Sequence, residues 1–142
     1  MKILIAGESW ITNSNHIKGF DNFFTSSYEE GVHWLKGALE KAGHEVHFLP
    51  NHLVSKDFPT NLNDYEVVMI SDCGANTLLL HPDTFVKSKK TPNRLNIIHD
   101  YVAQGGALAM IGGYMTFQGI DGKARYHGTS VEKALPVIMQ PT

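Results

Sequence analysis

The sequence is short of several things at once, and each shortage closes off a class of protein. A single cysteine, Cys73, stands among 142 residues, which excludes an internal disulfide framework and a CxxC metal knuckle. Such sparing use fits a reducing compartment. There is no basic excess: 12 Lys and Arg against 14 Asp and Glu leave a net charge of -2. The chain therefore carries no electrostatic footprint for nucleic acid or an anionic membrane. Its one dense basic run, Lys87, Lys89 and Lys90, reads as a solvated loop. No apolar run approaches the ~20 residues of a membrane-spanning helix. The opening Met1-Lys2-Ile3-Leu4-Ile5-Ala6-Gly7-Glu8 is too short in apolar residues for a signal peptide and meets a carboxylate at once. Internal repeats and low-complexity tracts are missing too. The expectation is a cytoplasmic protein with no nucleic-acid or membrane partner.

What remains is an ordinary globular composition, 42% hydrophobic and 18% charged, in a length suited to one domain of roughly 150 residues. Short apolar runs alternate with helix-period segments. Ile3-Leu4-Ile5-Ala6 suits a strand buried on both faces. Glu8 to Asp21 reads as a long polar loop. Ser26 and Ser27, each followed three residues later by Glu29 or Glu30, give two overlapping capping boxes. The helix they open would bury Val32, Leu35, Leu39 and Ala42 and end at Gly43. His44 to Leu49 is a second strand, stopped by Pro50, and Asn51 to Asp64 is loop with one short helical turn at most. Tyr65 to Ile70 is a third strand.

Thr91 as N-cap and Pro92 at the first helical position open a helix with Leu95, Ile98 and Val102 inward. Gly105-Gly106 ends it. Ala107 to Ile111 is a fourth strand running into Gly112-Gly113, and Thr129 with Glu132 caps a short helix ended by Pro136. Val137-Ile138-Met139 begins a fifth strand that the chain interrupts. Strands separated by helical crossovers imply an α/β fold, an open parallel sheet with helices on both faces.

In such sheets ligands bind outside the carboxyl ends of the strands. That rule selects Glu8-Ser9-Trp10 through Asp21, then Pro50-Asn51-His52, Asp72-Cys73-Gly74, and Gly112-Gly113-Tyr114. The first segment is richest, with Glu8, Ser9, His16, Lys18 and Asp21 for polar contacts and Trp10 and Phe20 as apolar walls. A structureless stretch of that length in a compact domain is usually functional. Cys73 reads either as a nucleophile or as a small buried hydrophobe. Asp72 beside it would repel a thiolate, which favours the second. Gly112-Gly113 frees amide donors but lacks the GxGxxG or P-loop spacing of a phosphate cradle. The later polar segment, Gly119 to Gly128 with Asp121, Lys123, Arg125, Tyr126 and His127, reads equally as a loop over that edge or a plain surface loop.

The eight histidines make no metal motif. His44 and His47 point to opposite faces of a strand, and a site assembled from His16, His52 or His127 is the only alternative. No metal and no cofactor is expected.

Four segments together resemble the class I glutamine amidotransferase-like family of bacterial cytoplasmic proteins. They are Gly7-Glu8-Ser9-Trp10, His16-x-Lys18-Gly19-Phe20-Asp21, Ser71-Asp72-x-Gly74-Ala75-Asn76-Thr77, and Gly112-Gly113-Tyr114-Met115-Thr116-Phe117-Gln118-Gly119-Ile120. The resemblance spans nearly the whole chain and implies a flavodoxin-like sheet and a chain that continues past Thr142. Active members of the wider superfamily hydrolyse glutamine with a cysteine on a Gly-x-Cys-x-Gly elbow plus a late His and Glu. Here the elbow position is Gly112, and no His-x-Glu follows it.

The resemblance thus implies a domain without the usual triad. It would bind a small polar ligand or a partner through Glu8, Ser9, Trp10, His16, Lys18, Asp21, Asp72, Gly112, Gly113 and Tyr114. A hydrolase or amidase reading would use Cys73 or Ser9 as nucleophile and His16 or Glu8 as base. A flavin-binding reading would need Ser9, Thr12 and Ser14 as a phosphate loop. A structural reading has a homo-oligomer pairing through an unfilled sheet edge.

Overall fold

The computed structural model describes residues 1–141. Four parallel strands form the central sheet: β1 (Lys2–Gly7), β4 (Glu45–Pro50), β5 (Val67–Ser71) and β6 (Ala107–Ile111), in the spatial order β4-β1-β5-β6. This is the flavodoxin-like arrangement, with the first strand inside the second and the later strands added on one side. Alternation along β1 explains the layering. Leu4 and Ala6 face one side with Leu49, Val54, Val68, Ile70, Leu78, Leu95 and Ile98, whereas Ile3 and Ile5 face the other with Val32.

Helix α1 (His33–Lys41) covers the second side, resting Leu35 and Leu39 on Val46 and Phe48. Ala42, expected inside, is the exposed C-cap. The first side is covered by α2 (Asn51–Asp57), α3 (Ala75–Leu79), α5 (Arg94–Ala103) and α6 (Ser130–Ala134). Helix α4 (Pro82–Lys87) lies outside the core. The expected helices on both faces are there.

The largest departure from expectation lies between Glu8 and Val32. Ser9–Lys18 and Asp21–Glu30 are not loop and helix start but two ten-residue antiparallel strands, β2 and β3. The turn Gly19-Phe20 joins them, with Gly19 at φ 66, a two-residue hairpin connection of the kind that favours glycine. Both capping boxes fail because the ladder claims those residues: Ser26 pairs with Asn13, Ser27 with Thr12, Glu29 with Trp10 and Glu30 with Ser9. Helix α1 begins after Val32 with no side-chain cap. The hairpin stands off the body as an arm whose residues beyond Ser9 are all exposed.

Smaller corrections follow from local hydrogen bonding. Asn93, not Thr91, caps α5: its Oδ1 accepts from the Leu95 and Asn96 amides at 3.0 and 3.3 Å. Thr91 instead shares a hydrogen bond with Thr84, 3.0 Å between hydroxyls. Lys87 ends α4 rather than sitting in a loop, and its Nζ lies 3.2 Å from Asp83. Thr129 caps α6 as expected, accepting from the Glu132 amide. Val137 to Met139 forms no strand, so no fifth strand extends the sheet among the described residues.

Gly7 shows how tightly β1 must approach β5. Its φ is +110, and a Cβ there would fall onto the Ser71 carbonyl oxygen and within 2.8 Å of the Cys73 Cβ. Gly37, by contrast, lies inside α1 with nothing near the place of a Cβ. The two glycines should therefore respond oppositely to alanine. Gly7→Ala should destabilise the fold by about 3 kcal/mol or more, from clash and left-handed strain together. Gly37→Ala should stabilise it by about 0.5–1 kcal/mol. Urea midpoints of the two variants read both signs.

Candidate functional site

The parallel register builds the site. Gly7 pairs with Ser71, and Ser71 with Ile111, so the next residues, Glu8, Asp72 and Gly112, leave three adjacent strands at one level. With Gly113 and Tyr114 they line a hollow of about 230 Å³. Both carboxylate residues turn sharply there: Glu8 has φ 41 and Asp72 φ 49. A non-glycine residue in the left-handed region is uncommon and costs roughly 1–3 kcal/mol. Tertiary hydrogen bonds hold both in place.

The Glu8 amide donates to the Ser71 carbonyl at 2.6 Å, and the Glu8 carbonyl accepts from the Gly31 amide at 2.9 Å. The Ser71 hydroxyl donates to the Glu8 carboxylate. Gly31 leaves room for this carboxylate: a Cβ there would lie 2.6 Å from Glu8 Oε1 and 3.0 Å from the Trp10 ring. Asp72 Oδ1 accepts from the Met115 amide at 3.1 Å, which pins the loop after β6 to the end of β5. Asn51, the first residue of α2, ties in the remaining strand. Its Nδ2 donates to the carbonyls of Ser9 and Asp72, each at 2.8 Å, and its amide donates to Ser9 Oγ at 2.7 Å.

The sequence-based candidates divide. Glu8, Asp72, Gly112, Gly113 and Tyr114 converge on the hollow. Ser9 is buried and engaged with Asn51 beneath it, and Trp10 stands at the root of the arm, donating from Nε1 to Glu29 at 2.9 Å. His16, Lys18 and Asp21 are carried out along the arm; at about 3.3 Å per residue, Lys18 ends roughly 30 Å from Ser9. His16 stacks on Phe23 with ring centroids 4.6 Å apart. The flavin-type phosphate loop has no place either, since Ser9, Thr12 and Ser14 lie in an extended strand. Asn51, Ser71 and Met115 lie in segments the sequence marks at the sheet edge, but none of the three is among the expected site residues. Asn51 had a signal, a polar residue just after Pro50 at a strand's carboxyl end; the other two act through tertiary contacts no pattern marks.

Cys73 lies behind this edge, 1% exposed. Its Sγ is 3.9 Å from the Gly74 carbonyl oxygen, and the Tyr126 hydroxyl donates to the Cys73 carbonyl. Burial, followed by the nearby Asp72 charge, pushes the thiol up to about 12, against a smaller opposing pull from Arg94. A neutral, buried thiol is a poor nucleophile. Burial also raises the Tyr126 phenol. The histidines of the alternative metal site are apart, with His16 on β2, His52 on α2 and His127 ahead of α6. Among the described residues no group of three His, Cys, Asp or Glu could hold a metal ion.

Gly112 differs from Gly7 in one useful respect: nothing lies within 4 Å of where its Cβ would be. A side chain at 112 would project into open space over the hollow.

The family model GATase1_like, described as "Putative glutamine amidotransferase", matches residues 2–142. Two solved structures are similar. Cytoplasmic Protein STM3548 from Salmonella typhimurium is 47% identical, with a TM-score of 0.95. Cytoplasmic Protein STM1381 from Salmonella typhimurium LT2 is 45% identical, with a TM-score of 0.93. Each comparison covers 99% of this chain but only 58% of the neighbour's. No curated protein matches the chain.

The raised Cys73 thiol makes stability depend on alkaline pH with a definite sign. The thiol of the unfolded chain ionises near 9.0 and the folded one only at about 12. Its contribution is full below pH 9 and is lost as pH rises toward 12, at up to about 1.4 kcal/mol per pH unit. Chemical denaturation between pH 8 and 10, below the range where the buried Tyr126 phenol adds a fall of the same sign, should show this loss, and Cys73→Ala should flatten it.

Proposed function

This chain belongs to the glutamine amidotransferase-like family, and on that premise we propose that it is a binding domain rather than a thiol glutaminase. Its ligand is a small polar molecule rich in hydrogen-bond donors, an amine or a polyol, held at the carboxyl edge of the sheet. One observation carries the reading: Glu8, Asp72, Gly112, Gly113 and Tyr114, from three separate loops, meet around one hollow. Two carboxylates and no cation line it, a combination that attracts donors and repels phosphates and carboxylates. Asp72 keeps one oxygen on the Met115 amide and Glu8 keeps one on the Ser71 hydroxyl. Carboxylates accept at several lone-pair positions, so each retains capacity toward a ligand.

Thiol glutaminase chemistry needs an ionisable, accessible sulfur. Position 112, where an elbow nucleophile would have open space, is glycine. The one thiol is buried, neutral and behind the edge. Removal of the nucleophile from a triad enzyme lowers turnover by about a millionfold. Both Salmonella neighbours are named cytoplasmic proteins, and they support a cytoplasmic location for this chain. Among the described residues no helix is long and apolar enough to cross a membrane.

Two measurements test this. Ammonia release from glutamine should stay at background in both the wild type and Cys73→Ala; turnover that vanishes in the variant would overturn the reading. A thermal-shift panel of small amines and polyols should contain at least one compound that raises Tm. That shift should be abolished in Glu8→Gln/Asp72→Asn. A panel that moves nothing, or a shift that survives the double substitution, would sink the assigned site.

A further inference from the structure

The arm is the part of this molecule that its own body does not account for. An isolated two-stranded ribbon is marginal in water, and independent stability takes a third strand or a packed face. Here the ladder from Ser9↔Glu30 to Lys18↔Asp21 receives cover only at its root, where His52 of α2 meets Tyr28 edge-on, ring centroids 5.4 Å apart. Beyond that the ribbon exposes Ile11, Ile17, Phe24 and Phe20.

Strand alternation sorts these side chains. One face carries Trp10, Thr12, Ser14, His16 and Lys18 opposite Glu29, Ser27, Thr25, Phe23 and Asp21, so every charge of the outer arm lies there. The other face carries Ile11 beside Tyr28, Asn13 beside Ser26, Asn15 beside Phe24, and Ile17 beside Asn22. It has no ionisable group except the Tyr28 phenol between its root pair, Ser9 and Glu30, and the tip. We infer that this uncharged face is a self-association surface, and that its occupant is a second copy of this chain.

Three features select a copy over another partner. Apolar side chains stand toward both ends of the face, with Asn13 and Ser26 between them, joined by a hydrogen bond of 2.7 Å. Laid antiparallel on itself, such a face brings β2 over β2, with Ile11 over Ile17 and Asn13 over Asn15. Amides both donate and accept, so like meets like without repulsion, as a two-fold interface requires. A strongly charged partner would find no complement there.

The area also suffices. About twenty residues expose roughly 3,000 Å² when unfolded. The apolar residues of the uncharged face keep between 46% (Tyr28) and 71% (Phe24) of their surface. One face therefore offers about 800 Å², close to what each partner contributes to a standard stable interface.

Sedimentation equilibrium on the chain at about 50 µM, above the Kd expected of such an interface, reads the outcome. The wild type should run at twice the chain mass and Ile17→Asp/Phe24→Asp at the chain mass. Thr12→Asp/Ser14→Asp, on the charged face, should stay at twice. All four positions are exposed, and an unchanged circular dichroism spectrum would show the body intact. A monomeric wild type, an undisturbed Ile17→Asp/Phe24→Asp dimer, or equal dissociation of the opposite-face variant would each overturn the assignment. None of these outcomes depends on whether the hollow between Glu8 and Tyr114 binds anything.

Discussion

Everything at the carboxyl edge of the sheet follows from the level at which three parallel strands stop. Gly7, Ser71 and Ile111 share a register position, so the chain leaves the sheet three times side by side. A slip of one residue in β5 would reverse its buried faces and carry Asp72 away from Glu8. The register is held by burial on both sides: Leu4 and Ala6 in one core cluster, Ile3 and Ile5 in the other, with Val68 and Ile70 locked into the first. The contact of Gly7 with the Ser71 carbonyl belongs to the same constraint.

The left-handed turns at Glu8 and Asp72 then appear as consequences of crowding. Each strand end must bend at once to clear its neighbour, and non-glycine residues adopt the strained backbone because hydrogen bonds over-determine it. Asn51 and the Ser71 and Met115 donors supply those bonds. The carboxylates held by this framework are the ones with free acceptor capacity. Backbone strain and spare hydrogen-bond capacity therefore meet in the same two residues.

Much of the fold was legible from pattern. The sheet strands β1, β5 and β6 coincide with short apolar runs, as strands covered on both faces require, whereas the edge strand β4 shows as a partial alternation with Glu45 and His47 exposed. The convergence of Glu8, Asp72, Gly112, Gly113 and Tyr114 was legible as well, since it follows from strand ends and the crevice rule. The arm was not. Its Lys18-Gly19-Phe20-Asp21 turn is a hairpin signal, yet Ser26, Ser27, Glu29 and Glu30 form an equally good local pattern for a helix start. Local chemistry offered two answers, and cross-strand pairing over thirteen to twenty-one residues decided between them. That choice carried His16, Lys18 and Asp21 from the candidate pocket onto a projecting ribbon.

Sequence by itself determined the class of fold, the four strands of its sheet, and the absence of sulfur at position 112, because these depend on composition and short-range periodicity. Only the tertiary structure decided which polar residues share a hollow and that Cys73 is sealed away with a neutral thiol. It alone also set an uncharged ribbon face toward solvent. Those outcomes depend on register and on contacts between residues as far apart as Asn51 and Ser9 or Tyr126 and Cys73, and such distances leave no periodic trace in a single chain.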